Sequence, residues 1–306
     1  MIRSLGSYNE QFLLDLERVQ ARAARAQAQI SSGFKVNNLS DAPQLIAGIA
    51  RSQLDIAKAE QAAINLQRVQ AEVNNNEAAL GVSVKILQDV IVAGAQGADD
   101  QATPAARDLL ASRVKEWHSE LVRIANSNYG GRYQFAGDQD QSAPYQLDWT
   151  QPGGVVRLNN APDTRLIEDA GGNRFSVSSR AQDIFDARDA SDAVAPGNVF
   201  DSLHDLSIAL TAGDSTQISS ALQKVREAHD HVIGKQADFG AAQNRVQEAL
   251  EDANKKKLRA TVELAAQREA DVPAAILELS QSAANLEAAL GAQARLPRTT
   301  LFDYLG

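Results

Sequence analysis

The strongest constraint on this chain is a heptad rhythm that runs at both of its ends. Near the N-terminus apolar residues recur at Phe12, Leu16, Val19, Ala23, Ala26 and Ile30, with spacings that alternate four and three. Near the C-terminus the same rhythm passes through Leu258, Val262, Ala265, Glu269, Val272, Ile276, Leu279, Ala283, Leu286 and Leu290, with Glu269 the one charged member. A repeat of about 3.5 residues keeps one stripe of a helix against a partner helix. Two such stripes at opposite ends of one chain can face each other. The sequence between them then becomes an inserted body, a layout that suits an assembly subunit better than an enzyme.

Composition narrows this further. The 306 residues leave room for two or three domains. Hydrophobic residues make up 44% but aromatics only 5%, which favours slim, closely packed helices over a bulky core. A net charge of −9 argues against nucleic acid or an anionic membrane as partner, because both need clustered Lys and Arg. The one basic run, Lys255-Lys256-Lys257, lies beside Glu251 and Asp252 and reads as a solvated helix face. With no cysteine, disulfides, zinc-thiolate sites and thiol catalysis are excluded. Asp15, Glu17 and Arg18 interrupt the start of the chain, so no cleavable signal peptide is expected, nor is any apolar run read as a membrane span.

Start and stop signals divide the chain. A first helix over about 5–31 ends at Gly33, which suits a left-handed cap. A second is expected over about 42–97, with Ser40 or Asp41 as cap and Pro43 in its first turn. Its stripe is Leu66, Val69, Val73, Asn76, Leu80, Val84, Leu87 and Ile91. Thr103-Pro104 opens a third helix, striped by Leu110, Val114, Trp117, Leu121, Ile124 and Asn128 and closed by Gly130-Gly131. From 132 to about 180, short alternating segments such as Val155–Leu158, Arg165–Ile167 and Phe175–Val177 are separated by Gly- and Pro-rich turns, the signature of a small β domain. Helix resumes with Phe200, Leu203, Leu206 and Leu210, breaks at Gly213, and continues through Ile218, Leu222, Val225, His229, Val232, Gln236, Phe239, Gln243, Val246 and Leu250.

The fold class is therefore mainly α: a coiled-coil-like helical rod formed by both chain ends, with a small inserted β-rich domain. The expected domains are 1–40 plus 270–306 for assembly, 41–137 plus 198–269 as the helical rod, and 138–197 as the insertion.

Nothing in the sequence calls for catalysis, a cofactor or a metal. His229 and His231 are two apart, so on a helix they point to different sides and cannot chelate one ion. Asp138-x-Asp140-x-Ser142 opens like a calcium loop, but Ala143 stands where the glycine belongs and Trp149 where the closing Glu belongs. Asn37 and Asp41 read as braces of the loop between the first two helices. No nucleophile elbow, phosphate loop, dinucleotide fingerprint or zinc-protease motif occurs.

The segment Ser31-Ser32-Gly33-Phe34-Lys35-Val36-Asn37-Asn38-Leu39-Ser40-Asp41-Ala42-Pro43 resembles the N-terminal loop of bacterial flagellin and its relatives, with Ala42 in place of that loop's second Asp. Gly240-Ala241-Ala242-Gln243-Asn244-Arg245-Val246 and the ending Leu301-Phe302-Asp303-Tyr304-Leu305 are similar to C-terminal stretches of the same family. Within the family, Asn128 to Gly137, followed by Pro144-Tyr145, looks most like the hook–filament junction branch. The resemblance implies a structural subunit of the flagellum, exported through the flagellar apparatus without a cleaved signal, outside the cell when assembled, and serving as the adaptor on which flagellin polymerises; filament flagellin itself is the alternative. It implies self-association in a helical or ring assembly. The implied partners are the other hook–filament junction protein, flagellin and an export chaperone. The residues expected at the assembly and chaperone interface are Phe12, Leu16, Val19, Ile30, Val272, Ile276, Leu279, Leu286 and Leu290, and the loop motif is Gly33, Asn37, Asp41 and Pro43. The alanine-rich seams bury too little apolar surface to offset the entropy of ordering two long helices. Segments 1–35 and 270–306 are thus expected to order fully only against neighbouring subunits.

Overall fold

A computed structural model of the chain describes residues 2–37, 42–159, 166–168, 171–172 and 174–295. Among these the helices are α1 (Ile2–Ser32), α2 (Pro43–Gly97), α3 (Pro104–Ala125), α4 (Ala181–Phe185), α5 (Val199–Ala212), α6 (Ser215–Arg268) and α7 (Val272–Arg295). The strands are β1 (Asn128–Tyr129), β2 (Arg132–Tyr133), β3 (Tyr145–Leu147), β4 (Val155–Arg157), β5 (Leu166–Glu168) and β6 (Arg174–Ser176).

The helix limits follow from capping chemistry. Gly33 takes φ +73° and its amide donates to the Gln29 carbonyl at 2.8 Å, closing α1. Thr103 Oγ1 accepts from the Ala106 amide, and Pro104 opens α3 where its missing N–H costs nothing. Asn198 caps α5 at one end and left-handed Gly213 at the other. Asp214 Oδ1 accepts from the Thr216 amide at 2.9 Å at the start of α6, and Asp271 Oδ1 from the Ala274 amide at 3.0 Å at the start of α7.

One expected helix limit needs correction. The third helix does not reach Asn128; it stops at Ala125. The Asn126 side chain is drawn to β3, donating to the Tyr145 carbonyl at 2.7 Å and accepting from the Tyr145 amide at 3.0 Å. The residues beyond it turn into the β1–β2 hairpin over Gly130 and Gly131, both at positive φ. Among the described residues the short strands form three separate antiparallel pairs, β1–β2, β3–β4 and β5–β6. Each pair is too short to stand alone, and buried side chains such as Tyr145 and Val155 anchor it to the helical core.

The chain divides into two compact units, residues 1–58 with 256–306 and residues 59–255. The second unit holds a large core. The α2 stripe read from the sequence supplies Leu66, Val69, Val73, Asn76, Leu80 and Leu87, all buried. Aromatic rings close the middle: Phe135 meets Phe185 and Phe239 edge-on at 6.0 and 6.3 Å, Tyr145 meets Phe200 at 5.0 Å, and Phe185 stacks on Phe200 at 5.9 Å. Residues of the insertion, Tyr145, Val177, Ile184 and Phe185, belong to this shared core. Contrary to the expectation that no apolar run is long enough to span a membrane, α2 contains an 18-residue window with mean hydropathy 1.6, long and apolar enough by composition to cross one. Leu80, Leu87 and Val90 of α2 are fully buried among the helices of this unit, which is what a core helix requires.

The first unit is built the other way round. α1 and α7 pack against each other, and the fully buried residues here are Ala26, Val36, Ser52, Ala260, Ala275 and Ser282, nearly all small. Gly48 of α2 lies so close to α6 that a Cβ there would sit 2.5 Å from Gln267 Oε1. Small residues let the helix backbones approach closely and leave the large apolar side chains outside.

This contrast predicts where stability resides. Phe200→Ala should cost about 3–5 kcal/mol in urea denaturation followed by circular dichroism, from lost burial and a residual cavity. Leu109→Ala, at a position 72% exposed, should stay within about 0.5 kcal/mol of the parent.

Candidate assembly surface

On α1 the expected seam matches the buried stripe. Phe12, Leu16, Val19, Ala23 and Ile30 are half-buried and Ala26 is buried, while the residues between them up to Ala28 are exposed. On α7 the phase is different from that expected. Val272, Ala275, Leu279, Ser282, Leu286 and Ala289 carry the buried or half-buried stripe, again at alternating spacings of three and four. Val272, Leu279 and Leu286 thus face inward as expected. Ile276 and Leu290 do not: they are 54% and 52% exposed. Leu258 and Val262, also placed in the seam from sequence, are 65% and 60% exposed, and Ala260 is buried in their place. At these positions the expected seam followed the larger apolar residues, whereas the helix contacts bury their smaller neighbours Ala260 and Ala275.

The result is an apolar outer surface on the first unit, carrying Leu13, Leu14, Leu54, Leu258, Val262, Ile276, Leu277 and Leu290. Charge adds little to the pairing of α1 and α7. Arg22 and Glu278 approach to 4.0 Å with both side chains largely in water, a pair worth little. These exposed apolar side chains sit on helices whose deeply buried positions are mainly Ala and Ser.

The loop motif is placed in part. Gly33 has the predicted left-handed conformation, Asn37 Nδ2 donates to the Phe34 carbonyl at 3.1 Å, and Pro43 is the first residue of α2. Asp41 lies outside the described residues, as do Leu39, Ser40 and the ending Leu301–Leu305.

Two polar clusters in the second unit were not found from sequence. Asp186 is buried and accepts from Arg157 at 2.8 Å, Arg188 at 2.9 Å, Asn198 Nδ2 at 2.8 Å and the Tyr145 hydroxyl at 3.3 Å. It ties β3, β4, the end of α4 and the cap of α5 together. Burial, and then the Asp186 charge, push the Tyr145 hydroxyl well above its ordinary pKa, so it stays protonated and donates to Asp186. His118 is fully buried beside Trp149 at 4.6 Å and Phe200 at 5.6 Å, with Nε2 2.9 Å from the Gly153 carbonyl. Burial lowers its pKa to about 4, the Gly153 carbonyl opposing and His204 assisting. The only sequence signal for His118 was its place four residues after Val114 and three before Leu121. These clusters hold the fold together; neither presents a nucleophile or an open ligand position.

The other motifs resolve simply. His231 Nε2 bonds the Asp183 carbonyl at 2.8 Å while His229 Nδ1 turns to Asp230 at 3.3 Å, so the two imidazoles serve different neighbours. Asp140 pairs with Arg132 at 3.4 Å and its carbonyl accepts from the Tyr133 amide, bracing the β1–β2 hairpin. Trp117 is partly buried against the core, with Arg113 over its ring at 5.0 Å. Among the described residues no group of three or more His, Asp or Glu could hold a metal ion.

Residues 7–140 match the family model described as the bacterial flagellin N-terminal helical region. No match is found among curated protein sequences. Solved structures share the fold. A putative flagellar hook-associated protein from Vibrio parahaemolyticus aligns with TM-score 0.64 and 18% identity, covering 74% of this chain and 99% of its own. The flagellar hook-associated protein-3 from Legionella pneumophila aligns with TM-score 0.62 and 13% identity, covering 71% and 98%. The Bacillus cereus FlgL structure aligns with TM-score 0.54 and 16% identity, covering 70% and 96%.

The His118 environment sets a pH dependence. Its folded pKa of about 4 lies below the unfolded value of 6.5, so as pH falls the unfolded chain takes up the proton first. The stabilisation is therefore complete above about pH 6.5 and is lost between pH 6.5 and about 4, a change of about 3 kcal/mol. Chemical denaturation at pH 7.5 and 4.5 should show this drop in the parent and a smaller one in His118→Phe.

Proposed function

We propose that this chain, whose residues 7–140 match the flagellin N-terminal helical region, is a structural subunit of the bacterial flagellum. Its place is the junction between hook and filament, as an adaptor on which flagellin polymerises. The observation that carries this reading is the inverted packing of the first unit, with Ala26, Ala260, Ala275 and Ser282 inside and Leu258, Val262, Ile276, Leu277 and Leu290 outside. Such helices gain their burial from neighbouring subunits, not from their own chain. The hook-associated proteins of similar fold favour the junction over the filament itself.

The role is mechanical and needs no catalysis, cofactor or metal. Residues 1–40 with 270–306 form the assembly part, 41–137 with 198–269 the helical body, and 138–197 an insertion facing away from the shared contacts. The partners are further copies of the chain, the other junction protein and flagellin. During export, Val272 to Leu290 binds a chaperone that shields the outer stripe until assembly. The site of action is outside the cell, reached through the flagellar export route without a cleaved signal.

Electron microscopy of the purified chain after salting out, with and without sheared filament seeds, tests the assignment. The expected outcome is no long filament on its own, together with binding to the open end of hooks that carry the other junction protein. Long filaments of the chain alone would make it a flagellin.

A further inference from the structure

We infer that the break between α1 and α2 and the break between α6 and α7 form one latch, so that the two joints open together and α1 and α7 turn as a single piece. A helix end leaves its last carbonyls without partners inside the helix, and they must be satisfied locally or by something else. At the end of α6 they are satisfied by the other joint. The Lys35 amide donates to the Arg268 carbonyl at 2.8 Å, and the Ala270 amide donates to the Gly33 carbonyl at 2.9 Å. Phe34 and Glu269 face each other between these bonds as an isolated antiparallel bridge. Lys35 Nζ reaches the Ala266 carbonyl at 2.7 Å, a cation at the negative end of a helix.

The side chains lock the same pairing. The Arg268 guanidinium lies over the Phe34 ring, 4.0 Å from its centre. Phe34 is held for this contact from its own side: Ser32 Oγ accepts from the Phe34 amide at 3.1 Å and donates to the Ala28 carbonyl at 2.7 Å. Val36, two residues beyond Phe34, is buried. Neither joint can open alone, because each supplies the donors or acceptors that the other lacks. The consequence is a hinge with two linked strands of chain. The paired helices α1 and α7 keep their mutual register while the joint flexes, so the apolar outer stripe reaches its partners as one surface.

Hydrogen exchange of the full-length chain, read at the Lys35 and Ala270 amides, tests the latch. In the parent both should exchange more slowly than an unstructured chain. Phe34→Leu and Arg268→Ala should each accelerate both amides, by a similar factor of about tenfold. Acceleration at one amide only, or parent amides that already exchange like an unstructured chain, would overturn the inference. Protection of α3 and α5 reports whether a variant is folded; if Arg268→Ala loses it, the milder Phe34→Leu decides. No flagellar partner is needed, so this test can fail while the assembly reading stands, and the reverse.

Discussion

Everything distinctive about this molecule depends on how closely the terminal helices approach each other. Where α1 meets α7, and where α2 meets α6 in the same unit, the most deeply buried positions are Ala26, Ala275 and Ser282, and Ser52 and Ala260, while larger inward residues such as Leu16, Leu279 and Leu286 are only half-buried. That choice brings backbones together and yields little burial for each residue, since a methyl group removes far less apolar surface from water than an isobutyl group. Other large apolar residues of the same helices, Leu13, Leu14, Ile276, Leu277 and Leu290, lie outside. A unit of this kind has few deeply buried large side chains and keeps several apolar ones exposed.

The second unit has the opposite character. Phe135, Phe185, Phe200 and Phe239 are fully buried at its centre, with Leu66, Leu80, Leu87 and Leu121 around them. The inserted hairpins, too short to be stable by themselves, are held by this aromatic cluster and by the Asp186 hub, where one buried carboxylate satisfies two guanidinium groups, an amide and a phenol. Removing such a centre would strand charges with no water to replace their partners. The latch at Phe34 and Arg268 lies in the other unit and fixes the mutual setting of the helix ends without adding a core.

Most of the helical layout was legible in the sequence, because capping residues act locally. Gly33, Pro43, Thr103-Pro104 and Gly213 mark the observed limits to within a residue or two. The α1 stripe and the α2 stripe from Leu66 to Leu87 were legible for the same reason, since helical periodicity is an intrinsic signal. The end of α3 was not, because Asn126 leaves the helix to pair with Tyr145, nineteen residues away. The phase of α7 was not either. Two stripes one position apart, Ala275-Ser282-Ala289 and Ile276-Ala283-Leu290, have the same heptad spacing, and only the distance to the partner helix chooses between them. The Asp186 hub and the Lys35–Arg268 joint unite residues distant in sequence, and no local pattern announces them.

The central claim is that the displaced apolar stripe is a contact surface between subunits. The chain has no cysteine, so a single Ile276→Cys substitution gives a unique thiol on that stripe, and Leu147→Cys gives one on the insertion. The measurement is the rate of thiol labelling in the free chain and in the chain bound to hook ends. The account predicts rapid labelling of both positions in the free chain, and strong protection on binding at position 276 but not at position 147. Equal labelling of position 276 in the free and bound states would contradict it.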